Sequence, residues 1–264
     1  VTRLARSLLF VPGDRPERFT KAALSGAHAV VLDLEDAVAP AAKDTARDAV
    51  RAWLADGRQA VVRINANDTP WFDADLRMLQ GVPGVGVMLP KAESASVAHT
   101  LRVLPGRHVI ALVETVAGYL SIQTLAGLDG LSRIAFGSVD FAAESGIVDE
   151  GDAMTGIRTQ IVLASCLAGL APPIDGVSLA FTDDAVMRAD ALRSRRLGFG
   201  GKLCIHPRQV EPVNDSYRPS AAERAWAERV VAAFERSDGA ATAVDGIMID
   251  RPVVARARQM LTDG

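Results

Sequence analysis

Cysteine is almost absent from this chain of 264 residues: only Cys166 and Cys204 occur, each in an apolar stretch. Two thiols cannot build a disulfide framework or a cysteine-based zinc site, so a reduced cytoplasmic compartment is expected. Aromatic residues are also scarce, at 5 %, although 49 % of the chain is apolar. The core is therefore aliphatic, which suits β-branched strands packed beneath Ala- and Leu-rich helices. Neither sign of charge dominates. Twenty-nine basic and 32 acidic residues leave a formal net charge of −3, and nucleic acid finds no electrostatic foothold as a partner. Long apolar runs are missing too: near the start, Leu8-Leu9-Phe10-Val11 is the longest. That is too short for a signal peptide or a membrane span, so no membrane association is expected.

What is present is a repeating pattern. Short apolar runs at Ser7–Val11, Ala29–Leu34, Ala60–Ile64, Val85–Leu89, His108–Val113, Arg133–Phe136, Gly176–Phe181 and Lys202–Ile205 read as buried strands. Helical stretches separate most of them, Ala41–Ala55, Asp152–Ala168 and Asp183–Leu197 being the longest. Asp14 precedes Arg-Pro-Glu and reads as the N-cap of the first helix. Eight such units predict an α/β fold, a (β/α)8 TIM barrel, with an open doubly wound sheet as the alternative. Residues 1–218 form that barrel domain. Residues 219–264 are extra to it: Ala221–Arg236 reads as a strong amphipathic helix, Ser237–Ala243 as a loop, Val244–Asp250 as a short strand-like piece and Pro252–Leu261 as a last helix.

Polar residues gather where such strands end, which is where barrel enzymes keep their chemistry. Glu35 and Asp36 follow strand two, Arg63 closes strand three, Lys91 follows strand four, Glu114 ends strand five, Asp140 follows strand six and His206 follows strand eight. Glu114 and Asp140 are one βα unit apart, so both can reach one cation from neighbouring strands. An all-oxygen site with few protein ligands suits Mg²⁺, with Mn²⁺ the alternative ion. A helix N-cap role for Asp140 and a rim salt bridge for Glu114 compete with that reading. Arg63, inside a buried run, needs an anion: a substrate carboxylate, or Glu35 or Asp36 beside it. Lys91 reads as an ion-pair lysine ahead of a Schiff-base one, and His206 as a residue that orients its loop ahead of a general base.

Eight runs recur in a familiar order: Arg6-Ser-Leu-Leu-Phe-Val-Pro-Gly13, Val31-Leu-Asp-Leu-Glu-Asp-Ala-Val38, Val62-Arg-Ile-Asn65, Leu89-Pro-Lys91, Ala111-Leu-Val-Glu-Thr115, Phe136-Gly-Ser-Val-Asp-Phe141, Ile205-His-Pro207 and Gly246-Ile-Met-Ile-Asp-Arg-Pro252. With these the chain resembles the HpcH/HpaI aldolase and citrate lyase β-subunit superfamily, in particular its free-standing CitE-like members related to malyl-CoA lyases. The resemblance implies Mg²⁺ on Glu114 and Asp140, Arg63 on the carboxylate of a keto acid, and Glu35 and Asp36 organising water and Arg63. It implies cleavage of a β-hydroxyacyl-CoA into a 2-keto acid and an acyl-CoA. It also implies that residues 219–264 form a lid on a neighbouring subunit of a homotrimer or higher oligomer, with Asp250 entering that neighbour's site as the proton-transfer residue. By pattern alone, Asp250 reads equally as a helix N-cap ahead of Pro252. Arg15 and Lys21, after strand one, are the cations proposed for the CoA phosphates, or else part of a solvated helix face. Two other functions compete: a class II aldolase acting on free hydroxy-keto acids, and a non-catalytic subunit of a lyase assembly.

Overall fold

Eight parallel strands close into a barrel in chain order in the computed structural model, which describes residues 4–262. They are β1 (Ser7–Pro12), β2 (Ala29–Asp33), β3 (Val61–Arg63), β4 (Gly86–Leu89), β5 (Val109–Val113), β6 (Leu131–Phe136), β7 (Ile174–Asp175) and β8 (Gly201–Cys204). Closure is explicit at Leu8, which pairs with Ala29 on one side and Leu203 on the other. Side chains alternate along the strands, and both faces are buried. Leu8, Val31, Met88, Ile110, Ala135 and Leu203 point into one cluster, while neighbours such as Leu9, Leu32 and Val87 are buried outside it. A barrel core layered in this way is what consecutive aliphatic residues build. The open-sheet alternative falls.

The helices are α1 (Phe19–Ala23), α2 (Lys43–Ala55), α3 (Phe72–Gln80), α4 (Ser94–Val103), α5 (Val116–Leu120), α6 (Ile122–Ala126), α7 (Ser138–Ser145), α8 (Thr155–Leu167), α9 (Asp184–Leu197) and α10 (Val210–Tyr217). Asp183 caps α9 by accepting the N–H groups of Ala185 and Val186. Asp14 does not cap the first helix. The Gly13 N–H is taken by Asp33 O and the Arg15 N–H by Pro12 O, so the chain turns before a 3₁₀ segment at Pro16–Arg18 that has no side-chain cap.

Strand seven differs most from expectation, lying at Ile174–Asp175 rather than Gly176–Phe181. The carbonyls of Ser178 and Ala180 go to the side chain of Gln209 instead of to a neighbouring strand. Leu179 and Phe181 are exposed. An apolar run here marks a loop, because its backbone bonds are met by a side chain.

Contact density divides the chain after Asn214, within α10. The expected division lay at 218/219, and the outermost residues of those two ranges, 1–3 and 263–264, lie outside the described residues. The second unit contains α11 (Ala221–Arg236), β9 (Thr242–Val244), β10 (Ile247–Ile249) and α12 (Arg251–Thr262). Ser220 and Glu223 form a capping box that starts α11. The region read as a loop and one strand-like piece is a β-hairpin, with Val244 opposite Ile247. Asp245 and Gly246 turn it with φ of 53° and 78°, the left-handed pair that two-residue hairpins need. Ala227, Val230, Ile249, Val254 and Ala257 form the core of this unit. Among the described residues no helix is long and apolar enough to cross a membrane.

A buried ion cluster braces the barrel between β7 and α8. The fully buried guanidinium of Arg158 donates to Asp175 at 2.8 Å and to both oxygens of Asp149 at 2.7 and 2.8 Å. Replacing one member of such a cluster strands the others unpaired. Arg158→Met is therefore expected to lose about 3–5 kcal/mol in urea denaturation. Arg51→Ala, which breaks an exposed pair with Asp48, is expected to stay within about 0.5 kcal/mol of the parent. Equal stabilities for the two variants would contradict this account.

Candidate active site

The polar strand ends converge because the barrel is closed and parallel. Asp33 and Arg63 are directly opposite one another across β2 and β3. Arg63 Nε and Nη2 donate to Asp33 Oδ1 and Oδ2 at 2.7 and 2.6 Å, a two-bond fork. Its Nη1 lies 3.0 Å from Glu35 Oε2 and 3.9 Å from Asp36. The guanidinium also lies over the Phe10 ring, 4.8 Å from its centroid. Burial opposes its charge, but the bonds to Asp33 and the charges of Asp33, Glu35 and Glu114 outweigh that and hold its pKa above the usual range. The main partner of Arg63 is thus Asp33, and the expected Glu35 and Asp36 are secondary. Asp33 is completely buried and was hidden in the sequence as one letter of an apolar strand.

Glu35 is held in the turn after β2. Lys43, on α2, donates to the carbonyls of Leu34 and Glu35 at 2.7 and 2.8 Å and so pins that turn. Nothing in the sequence singled out Lys43, which sits eight residues downstream on a helix. Burial raises the Glu35 pKa to about 7, against the lowering effect of Arg63 and with further raising by Asp36 and Asp33. The Lys91 amine approaches Glu35 at 3.8 Å. This is the ion-pair role, not a buried Schiff-base one, since the side chain is 45 % exposed.

Glu114 follows β5 and is 2 % exposed. Its Oε1 accepts the backbone N–H of Lys91 at 2.8 Å. Lys91 adopts a φ of 46°, an uncommon conformation for a non-glycine residue. No rim salt bridge forms: among the described residues no cation lies within 4.0 Å of Glu114. Burial, then the charge of Glu35, pushes its pKa up to about 8, against the Lys91 N–H and Arg63. Gly137 makes room for it, because a Cβ there would fall 2.7 Å from Glu114 Oε2 and closer still to its Cβ. Asp140 lies in the first turn of α7, whose N-cap is Gly137, so it is not the capping residue. Burial of its carboxylate and the charge of Asp36 raise its pKa, against Arg63 and Lys91.

Asp33, Asp36, Arg63, Glu114 and Asp140 line one cavity of about 260 Å³, with Phe10, Leu112, Val177 and Leu203 among its apolar walls. Five carboxylates, counting Glu35, face three cations: Arg63, Lys91 and Lys43. With all five acids ionised the formal excess is two negative charges, which one divalent cation would offset, and the donors are all oxygen, as Mg²⁺ prefers. Among the described residues no three His, Cys, Asp or Glu side chains form a ready-made cage. A cation held by Glu114 and Asp140 would therefore need further oxygens from outside the chain to complete its shell.

The remaining expected residues lie elsewhere. Arg15 and Lys21 are exposed, and neither lines this cavity. Asp250 stands in the second unit at the start of α12, where its Oδ1 accepts the Val253 N–H at 3.3 Å, a capping contact. His206 orients its loop. It caps the turn after β8 through Nδ1 and stacks on Phe181 at 4.9 Å.

A family model described as HpcH/HpaI aldolase/citrate lyase matches residues 6–207. The chain belongs to this family. It is accordingly a carbon–carbon lyase of citrate lyase β-subunit type. It is 41 % identical over 260 residues to a citrate lyase subunit beta-like protein of Mycobacterium tuberculosis, covering 96 % of this chain and 93 % of the relative. It is 36 % identical to a (3S)-malyl-CoA thioesterase of Cereibacter sphaeroides, covering 97 % and 93 %. A crystal structure of CitE from M. tuberculosis in complex with magnesium, acetoacetate and coenzyme A matches it with a TM-score of 0.87 and 38 % identity, covering 100 % of this chain and 99 % of that one.

The raised carboxylates of this family member set the sign of a pH effect. Glu35 and Glu114 hold protons in the folded state up to about pH 7 and 8, whereas unfolded they lose them near 4.5. Between those limits the folded state binds more protons, so stability falls as pH rises, by at most about 1.4 kcal/mol per pH unit per group. Urea denaturation in metal-free buffer from pH 5.5 to 8.5 is expected to show this decline, and Glu114→Gln to flatten it. A parent protein that grows more stable over this range would refute the assignment.

Proposed function

We propose that this lyase cleaves a β-hydroxyacyl-CoA of the malyl-, citramalyl- or citryl-CoA type into a 2-keto acid and an acyl-CoA, using Mg²⁺. The observation that carries this reading is the unbalanced cavity: five carboxylates grouped around one oriented arginine. Glu114 and Asp140 hold the metal, with Mn²⁺ the alternative ion. When bound, Mg²⁺ would supply Lewis-acid stabilisation of the negative charge on an oxyacid substrate. The magnesium and coenzyme A named for the M. tuberculosis structure support carrying both to this chain.

The chain's own groups then have separate tasks. Arg63, fixed by Asp33, binds the substrate carboxylate and sets its plane. Glu35 and Asp36 neutralise and orient Arg63 from its other edge. As the C–C bond breaks, the hydroxyl gives up its proton to water held by Glu35 and Asp36, its carbon becomes the keto carbon, and the electron pair passes to the thioester as an enolate. Asp250 of a neighbouring subunit gives that enolate carbon a proton, and takes it back in the condensation direction. In this reading residues 219–264 are a lid on the neighbour, and the enzyme is a homotrimer or higher oligomer working in the cytoplasm. Arg15 and Lys21, both exposed, meet the CoA phosphates.

Incubation with Mg²⁺ and malyl-, citramalyl-, methylmalyl- and citryl-CoA is expected to release keto acid from at least one of them. Release from a free hydroxy-keto acid and from none of the thioesters would replace this reading with the class II aldolase. Asp250→Asn is expected to lose about 10²–10⁴-fold in kcat while still binding Mg²⁺ and keto acid. Mixing it with Arg63→Ala protein restores part of the activity if subunits share sites. Normal turnover by Asp250→Asn would remove the lid aspartate from the mechanism.

A further inference from the structure

A second, larger cavity of about 490 Å³ adjoins the candidate site. Val139, Val177 and Leu179 belong to the walls of both. Val139 immediately precedes Asp140, so this shared wall starts one residue from a proposed metal carboxylate. Leu179 is 67 % exposed, and Val139 and Val186 are also open to solvent. Burying such side chains against an apolar group releases the water on both.

The charges around the second cavity differ from those of the first. Asp149 is held at both oxygens by Arg158. Asp190 receives Lys202 at 2.8 Å, Arg193 at 2.5 Å and the Ser178 hydroxyl. Three acids, Asp149, Asp175 and Asp190, therefore meet three cations, Arg158, Arg193 and Lys202. Among the described residues that line this cavity, the one cation, Arg193, is already paired with Asp190, so none is left to hold a second carboxylate or a phosphate. The rest of the wall is Val, Leu, Ala and Gly.

We infer that this cavity receives an uncharged alkyl substituent of the keto acid, making longer-chain 2-oxo acids better ligands than pyruvate and oxaloacetate a poorer one than an alkyl acid of similar size. The inference rests on the proposed reaction for the orientation of the ligand. In R–CO–COO⁻ the carboxylate and the oxo oxygen are held at the first cavity. The oxo carbon accepts the acyl-CoA enolate to give R–C(OH)(COO⁻)–CH₂–CO–SCoA, the proton lost by the acyl methyl ending on the new hydroxyl. Only R is left without a partner, and the wall beside Asp140 is shared with the apolar second cavity.

Isothermal titration of the Mg²⁺-loaded protein with pyruvate, 2-oxobutanoate, 2-oxopentanoate and oxaloacetate tests this. Affinity is expected to rise about fourfold per added methylene, or about 0.8 kcal/mol, with a heat-capacity change that becomes more negative along the series. Oxaloacetate is expected to bind more weakly than 2-oxobutanoate. Ala189, exposed on α9, lines the second cavity but not the first. Ala189→Phe should leave pyruvate binding unchanged and remove the gain from chain length. Flat or falling affinity in the parent, a preference for oxaloacetate, or a gain that survives Ala189→Phe would each overturn the inference. Turnover of the same acids with acetyl-CoA is read separately. Affinity that rises without turnover sinks the proposed reaction and leaves the cavity assignment standing.

Discussion

Arg63 is carried to the end of β3 on a strand with buried neighbours, and its charge has to be met there. Asp33, directly opposite on β2 and completely buried, meets it with two bonds. Taking away Arg63 would leave the buried Asp33 carboxylate without its cation, a penalty of about 3–5 kcal/mol. Much of the site follows from this pair. It fixes the plane of the guanidinium and leaves Nη1 facing Glu35 and Asp36. It also places a positive charge that offsets part of the cost of burying Glu35 and Glu114. Lys43 and the Lys91 backbone then hold these acids in position from outside the cavity.

Two ion clusters sit in one barrel with opposite character. Around Arg158 every charge has a partner, and the cluster braces β7, α8 and the segment carrying Asp149. Around Arg63 the acids outnumber the bases, and two carboxylates are pushed well above their ordinary pKa. A closed network stiffens a fold, whereas an unbalanced one invites a cation. The two regimes meet where the cavities share Val139, Val177 and Leu179.

The strand count and barrel class were legible because aliphatic runs, helical stretches and strand-end acids repeat along the whole chain. Strand seven was misplaced because Gly176–Phe181 is as apolar as a strand; only the Gln209 side chain, bonding to Ser178 and Ala180, shows that it is a loop. The hairpin at Val244–Ile247 was half read for a related reason. Its turn rests on Asp245-Gly246, but the pairing needs a partner strand that composition does not announce. Asp33 was overlooked because an acid inside a strand has no visible partner until the strands are in register.

The residue types at the strand ends were determined by the sequence alone, as were the aliphatic core and the family the chain resembles. Periodicity and ordered motifs are local in the chain, so they can be read along it. Which acid grips Arg63, which atom of Lys91 meets Glu114, and that two cavities share a wall were decided only in three dimensions. Those facts depend on strand register, on the φ of Lys91 and on the missing Cβ of Gly137. Each arises from a contact between residues far apart in sequence, and closing the barrel is what brings them together.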